Sequence, residues 1–441
     1  MDIQIKRGLK IPLAGAPKME LNQFSFPRLA ALDVSTHETL RFQCLIKPGD
    51  KIACGAPVLE DKSTPGRYFV APVSGTIKEI VRGEKRRILF VSIEADSEQS
   101  MRPIAPMQSL DQEQIAQRLL ECGLFASIYQ RPCKRLASPH VKPEAIFVKA
   151  LESAPFLPSP EIEIQERKTD FANGLEALKK FAKVHVVSAA KLQCPEGVEN
   201  HTATGPHPCS NPSLHIYHIH PVKRPDQVVW TLSAHTVIAI GCALRGEFYQ
   251  SKIIAFAGEG VKESERALYR VQEGSSVREL LEHRLVEGSM RLISGDPLMG
   301  HLTDFDRFLT QDAFALCAIP ELVKRSFLHF LGFGCSRYTA TRAYLSAFLN
   351  HKERSFSTSQ HGEQRAFVDG SYYDRVMPMR IPTMPLIKAL LAEDFEKALS
   401  LGLLEVDAED FALPAFICPS KIAMPEIVKR AQQFYAEQYL A

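Results

Sequence analysis

Six side chains able to bind a metal or move a proton fall between positions 201 and 220: His201, His207, Cys209, His215, His218 and His220. Imidazole and thiolate both ligate zinc, copper or iron, so this run is the first candidate for chemistry. Its spacing decides how many ligands can meet. If His215–His220 is a strand, alternate side chains face opposite ways, so His218 and His220 share one face and His215 points to the other. Only two ligands then converge unless His207 or Cys209 folds back. The plainer reading is a set of partly buried, hydrogen-bonded histidines beside a cleft, with no metal bound.

Other chemistry-bearing motifs are thinner. Glu60-Asp61-Lys62-Ser63, followed by Ala71-Pro72-Val73-Ser74-Gly75, resembles a lipoyl or biotinyl domain, in which a hairpin lysine carries a swinging arm. The insert Ser63-Thr64-Pro65-Gly66-Arg67 lengthens the distance between Lys62 and the turn, which argues against acylation. No GxGxxG follows a strand, and no Walker A or GxSxG sequence is present; Ala257-Gly258-Glu259-Gly260 lacks the third glycine and reads as a turn. The ten cysteines contain no CxxC pair. Cys418-Pro419 resembles the last step of a ferredoxin motif, but one thiolate cannot hold a cluster that needs four. Scattered thiols suit a reducing compartment. The turn Arg82-Gly83-Glu84-Lys85-Arg86-Arg87 reads as a basic hairpin tip, able to meet an acidic partner or lipid headgroups through Arg82, Lys85, Arg86 and Arg87.

The elements that must position these groups follow from the pattern of the chain. With 441 residues, 45% hydrophobic and 24% charged, the chain is long enough for three or four packed units. A formal charge of +2 excludes a general nucleic-acid binder. Short apolar runs between Gly/Pro turns over 1–100 predict a small β sandwich or barrel, with strands at Tyr68–Ala71, Thr76–Val81 and Ile88–Ile93. From 101 to 257, strands alternate with helices, as in a Rossmann-like α/β layer. Expected here are a Ser109/Gln112 capping box, a helix stopped by Gly123 and a helix over Phe171–Phe181. Strands are expected at Ala145–Val148, Val184–Ser188, Val237–Gly241 and Ile253–Ala257. The apolar stretch Val228–Leu244 is too short and too polar for a bilayer span and reads as two buried strands. Residues 258–305 fit a β-grasp module, and 306–441 read as helical. The helices there are Asp306–Leu316, Pro320–Phe333, Thr339–Asn350, Pro385–Leu391, Asp394–Leu401 and Pro425–Tyr439. The N-terminus lacks a signal-peptide pattern, so any membrane role is expected to run through partners.

Taken in order, these pieces resemble one family from end to end. Lys6-Arg7-Gly8-Leu9-Lys10-Ile11-Pro12-Leu13-Ala14-Gly15 looks like the opening of the A subunit of the Na+-translocating NADH:quinone reductase. Phe42–Gly55, Glu60-Asp61-Lys62, Ala71–Thr76, Gly205-Pro206-His207-Pro208, Arg291–Gly295, Arg375-Val376-Met377-Pro378 and Ile417-Cys418-Pro419-Ser420-Lys421 continue the likeness. The resemblance implies a scaffold related to the flavin-binding NADH subunit of complex I and to the C subunit of the Rnf complex, stripped of flavin and iron–sulfur motifs. It implies flavin-carrying and membrane-embedded partner subunits, and a peripheral position on the cytoplasmic face of the bacterial inner membrane. Ubiquinone contact is expected at the loop holding Gly205, His207 and His215, where imidazole and backbone N–H groups would donate to the quinone carbonyls. The competing expectation is a purely structural docking role; a third is a lipoyl carrier. The chain departs from the family pattern at His215-Ile216-Tyr217-His218 and at Cys209-Ser210.

Overall fold

A computed structural model describes residues 1–440 apart from 110, 323–331, 336, 341–343, 350–352 and 361–364. In the N-terminal unit, turn glycines close two antiparallel sheets over one core. Leu29–Asp33, Ile88–Ala95, Gly75–Arg82 and Lys51–Ile52 make a four-stranded sheet; Phe42–Cys44, Pro57–Asp61 and Tyr68–Val70 make a three-stranded one. Between them lie Val58, Leu59, Phe69, Ile77, Val91 and Ile93. At Gly75 a Cβ would stand 2.0 Å from the Glu94 carbonyl oxygen, so only glycine admits the neighbouring strand there. The three expected strands lie within one or two residues of those observed.

The second unit is a seven-stranded sheet. Its order is Asp2–Gln4, Glu199–Thr204, Lys183–Ser188, Ala145–Ala150, Val229–Ser233, Tyr129–Arg131, Arg135–Leu136. The first five strands are parallel, and Tyr129–Arg131 runs antiparallel to both of its neighbours. Strand alternation sorts the side chains onto two faces. Ile146, Val148, Val184 and Val186 meet the helices Lys168–Leu178 and Ala234–Leu244 on one face. Ala145, Phe147 and Val187 meet the C-terminal helices on the other. The stretch Val228–Leu244 is therefore one strand followed by one helix, which corrects the two-strand reading. Ser233 caps that helix through the Thr236 N–H, and every residue of Ala234–Leu244 is buried, so no polar stripe marks it as helical. A Cβ on Gly241 would stand 1.9 Å from the Asp170 carbonyl oxygen, and one on Gly174 2.1 Å from that of Val237. These two glycines let the helices pack backbone to backbone. The helix Gln112–Glu121 is capped by Asp111 instead of Ser109, and left-handed Gly123 follows its end as expected.

The third unit is a six-stranded sheet ordered His301–Thr303, Met290–Ser294, Ala315–Pro320, Ser251–Ala257, Leu268–Gln272, Leu21–Gln23. Ser251–Ala257, read as part of the α/β layer, pairs here instead, and the short helix Val277–Leu281 packs against this sheet. The expected helix over Asp306–Leu316 is a turn region leading into Ala315–Pro320. Buried Lys252 takes the Thr310, Gln311 and Ala313 carbonyls with its ammonium, which denies them to a helix. Pro320 ends that strand instead of opening a helix, and 323–331 of the Pro320–Phe333 reading lie outside the described residues. Of the Thr339–Asn350 reading, the described residues form one 3-10 turn, Leu345–Ala347. The last helices, Thr383–Leu391, Phe395–Ser400 and Met424–Tyr439, stand where they were expected, joined by Ala412–Ile417. The whole is the multidomain α/β architecture that the sequence implied. Among the described residues, no helix is long and apolar enough to cross a membrane.

Candidate functional site

In a parallel sheet the loops at the carboxyl ends of the strands carry the chemistry. Two such loops meet here: 151–159, after Ala145–Ala150, and 205–211, after Glu199–Thr204. The second is set by glycine and proline. Gly205 has φ of 132°, and a Cβ on it would stand 2.2 Å from the Ile5 carbonyl oxygen. The His207–Pro208 peptide is cis, and Asn211-Pro212 opens the helix Pro212–Ile219. Proline at the first helical position has no N–H to lose, so that dipeptide starts a helix. His215 is therefore on a helix, which corrects the strand reading of His215–His220.

The loop histidines are held tightly. His207 is 8% exposed and His215 1%. Burial pushes both imidazoles down to about 4, so both rings are neutral at pH 7. His215 Nε2–H donates to the Cys209 carbonyl oxygen at 2.8 Å. Around His207 the protons are fixed by a ladder. Glu152 Oε1 accepts from the Ser153 and Ala154 N–H groups and from Ser210 Oγ at 2.9 Å. Ser153 Oγ lies 2.8 Å from Ser210 Oγ, 3.0 Å from His207 Nδ1, and accepts the Ser210 N–H at 3.1 Å. The Ser210 hydroxyl proton goes to Glu152, so the proton between the two Oγ atoms must be that of Ser153. Ser153 Oγ then has only a lone pair left for His207, and Nδ1 carries the hydrogen. His207 Nε2 is consequently an acceptor. Neither imidazole keeps a free N–H for a quinone carbonyl, which corrects the donor role read from the sequence.

Charged groups from three units close around this ladder, and sequence reasoning missed all of them. Lys149 pairs with Glu152 at 2.6 Å. Burial raises the Glu152 carboxyl, but Lys149 and the backbone N–H groups outweigh it and hold Glu152 below the usual range. Asp296, in the turn after Met290–Ser294, lies close enough to feel Glu152 and Lys149, and burial and Glu152 push it up to about 6. From the C-terminal unit, Asp410 accepts from Asn211 Nδ2 at 2.9 Å, at the start of the helix Pro212–Ile219. Burial and then Glu409 raise its carboxyl. Neighbouring Asp407 pairs with Arg131 at 3.2 Å and Lys134 at 3.3 Å. Isolated charges do not survive such burial, so each anion has a partner or holds its proton.

The remaining candidates lie apart. His201 bonds His185 at 3.0 Å and the Met1 amino group at 3.1 Å. His220 bonds Glu144 at 3.0 Å, and His218 is exposed. Among the described residues no three His, Cys, Asp or Glu side chains are grouped to hold a metal. Lys62 is exposed at a turn tied down by buried Asp61, which binds Arg67 at 2.9 Å. Cys418 is buried against the Tyr373 hydroxyl at 3.2 Å. The basic turn is a hairpin tip between Gly75–Arg82 and Ile88–Ala95; Arg82, Lys85 and Arg86 are exposed and Arg87 half-buried. None of the four makes an ion pair among the described residues.

Three family models match the chain: the NqrA N-terminal barrel-sandwich hybrid domain over 3–96, the NqrA second alpha/beta domain over 110–248, and the NQRA C-terminal domain over 253–304. Among curated relatives, the A subunit of the Na(+)-translocating NADH-quinone reductase of Chlamydia caviae is 36% identical, covering 99% of this chain and 97% of its own. Its counterpart in Chlamydia pneumoniae is 35% identical over 99% and 98%, and that of Rhodopirellula baltica 32% over 97% and 96%.

Proposed function

The chain belongs to the family of Na(+)-translocating NADH-quinone reductase A subunits and is a subunit of that complex, and we propose that it serves there as a cofactor-free scaffold on the cytoplasmic face of the inner membrane. One observation carries this reading. At the carboxyl ends of the strands, where such sheets take nucleotides and flavins, the chain sets its own Glu152 and, at the start of the helix Pro212–Ile219, Asp410, with Asp296 close by, and the cation there, Lys149, is already paired with Glu152 at 2.6 Å. A phosphate or a flavin would meet carboxylates where it needs N–H groups and cations. Flavins and iron–sulfur clusters then reside in partner subunits, as do NADH oxidation and Na+ passage. The absorbance spectrum of the purified chain, with FMN and NADH titrations, tests this. A colourless protein that binds neither agrees; flavin or cluster bands, or micromolar binding, overturn it.

Docking on the flavin-carrying and membrane-embedded subunits falls, in this reading, to the unpaired basic hairpin of the barrel. Reversing Arg86 and Arg87 to Glu weakens a contact built on complementary charge, so the double variant is lost from the purified complex. Full retention rules the hairpin out.

A second reading has a specific observation in its favour. His207 Nε2 is a lone-pair acceptor, and a quinol hydroxyl, unlike a quinone carbonyl, offers the matching proton. Contact with the ubiquinone pool at Gly205, His207 and His215 is thus proposed for the reduced form. A short-chain photoreactive ubiquinol labels the loop and the oxidised probe does so weakly, with His207→Ala removing the labelling. Equal labelling of wild type and variant refutes the contact.

A further inference from the structure

The tip of the barrel hairpin carries residues that its backbone geometry does not favour. Strands Gly75–Arg82 and Ile88–Ala95 are joined through the turn Glu84-Lys85-Arg86-Arg87, closed by the Arg87 N–H on the Glu84 carbonyl at 3.1 Å. The two central residues, Lys85 and Arg86, both have left-handed backbone, with φ of 52° and 59°. A two-residue turn of that hand follows the twist of the strands, but its central pair is ordinarily Asn-Gly, because a Cβ crowds the backbone at positive φ. No contact inside the barrel offsets the strain of a lysine and an arginine there. Both side chains are exposed, and among the described residues neither makes an ion pair or a side-chain hydrogen bond. Strain held at an exposed tip points to a use outside the chain.

The turn is stiff as well as charged. The Gly83 N–H donates to the Arg87 carbonyl at 2.8 Å, and Arg82 Nη1 donates to the Arg86 carbonyl at 3.0 Å. Arg82 thus braces the turn, which leaves Lys85, Arg86 and Arg87 as the cations for a partner. Glu84, the one acid of the segment, pairs with none of them. Two features choose between an anionic bilayer and an acidic protein surface. Val81 and Leu89, the nearest apolar side chains, are half-buried and pack against Phe90 and Phe308, so the tip has nothing to insert below the headgroups. Three cations without an apolar anchor hold a bilayer only marginally, because stable attachment takes a second signal. A carboxylate recess uses what the tip has: each guanidinium fork donates to two oxygens in fixed geometry, and a stiff turn loses little freedom on docking.

We propose that the turn 84–87 is a preformed plug for a carboxylate-lined recess on a partner subunit, entered by Lys85 and Arg86 at the tip with Arg87 behind them. This rests on the docking role given to the hairpin above, and adds the chemistry of the partner and the reason for the strained pair. The Lys85→Asn/Arg86→Gly double variant relaxes the turn and removes both tip cations. In the purified full chain it raises the Tm of the barrel transition by about 2 °C or more. In the complex, captured through a tagged partner subunit and washed with rising NaCl, wild type is released as salt screens the contact, and the variant binds about tenfold or more weakly. Polyglutamate binds the wild-type chain more tightly than the variant; phosphatidylcholine vesicles with roughly 30% phosphatidylglycerol do not distinguish the two. A Tm that stays level or falls overturns the proposal. So does a variant that holds to the complex like wild type at every salt, and there the Arg86→Glu/Arg87→Glu chain separates the two readings. Its loss means that the hairpin docks without the tip pair; its retention means that the docking role falls too. Binding to anionic vesicles that the relaxed variant loses, with no response to polyglutamate, assigns the tip to lipid and overturns the carboxylate recess.

Discussion

His235 sits in the second position of the buried helix Ala234–Leu244 and joins two units of the molecule. Its Nδ1 lies 2.9 Å from Glu163 Oε1, on the helix Pro160–Glu166, and its Nε2 3.1 Å from Glu273 Oε1, at the end of the strand Leu268–Gln272. Both ring nitrogens face carboxylates, so the ring is an imidazolium. Burial alone would lower its pKa, but Glu163 and Glu273 outweigh burial and raise it from 6.5 to about 9. Tyr249 adds a hydrogen bond to Glu163 at 2.8 Å, and Arg270 and the buried Lys252 ammonium also face the carboxylates. A shift of this size corresponds to about 3 kcal/mol of stability. Because the folded pKa lies above the unfolded one, that stability is complete below pH 6.5 and drains away as pH rises toward 9. His235→Gln removes the titration while keeping a side chain able to hydrogen-bond. Urea unfolding of wild type and variant at half-unit steps from pH 6 to 10 reads the difference, with Lys252 and Tyr249 common to both proteins. The wild-type advantage shrinks by about 3 kcal/mol across that window. A difference that stays flat with pH refutes the imidazolium bridge.

Other outcomes follow from close approaches and buried charge. Gly241→Ala sets a methyl 1.9 Å from the Asp170 carbonyl oxygen and costs about 3 kcal/mol or more, seen as a large fall in Tm or as loss of soluble protein. Arg67→Met leaves Asp61 charged and fully buried without its cation, a loss of about 3–5 kcal/mol by denaturant titration. Asp410→Asn keeps one of the two acceptor contacts, to Asn211 or to the Asp407 N–H, at a cost that does not vary with pH, and removes a carboxyl whose pKa is raised by burial. A raised carboxyl loses the fold stability as pH climbs through its range, so the variant gains on wild type between pH 4 and neutrality; a gain on the acid side would contradict this.

Much of the architecture was legible because local signals sufficed. The strands Gly75–Arg82 and Ile88–Ala95 form a hairpin whose partners adjoin in sequence, and glycine and proline mark its borders. Where the reading failed, distant residues decided. Ala234–Leu244 is apolar all round because a sheet and another helix enclose it, and an unbroken apolar run has no period to betray its shape. The turns before Ala315–Pro320 exist because Lys252, some sixty positions earlier, claims their carbonyls. At the site, proximity of Gly205, His207 and His215 was readable from spacing. Their hydrogen-bonding sense was not, because Glu152 and Ser153 lie more than fifty positions away and Asp410 about two hundred.

The pairing of Asp2–Gln4 with residues 202–204, and of Leu21–Gln23 with 268–270, sets a timetable for the nascent chain. Both segments leave the ribosome early, yet each needs a partner that emerges some two hundred or more residues later, a wait of about 10–50 s at ordinary elongation rates. The barrel finds its strand ladders within Leu29–Ala95, apart from a single bridge from Ala30 to Ser275, and can close in the meantime. Two ribbons of backbone then stand unpaired beside a finished domain, each an open strand edge that a chaperone could shield until its partner emerges.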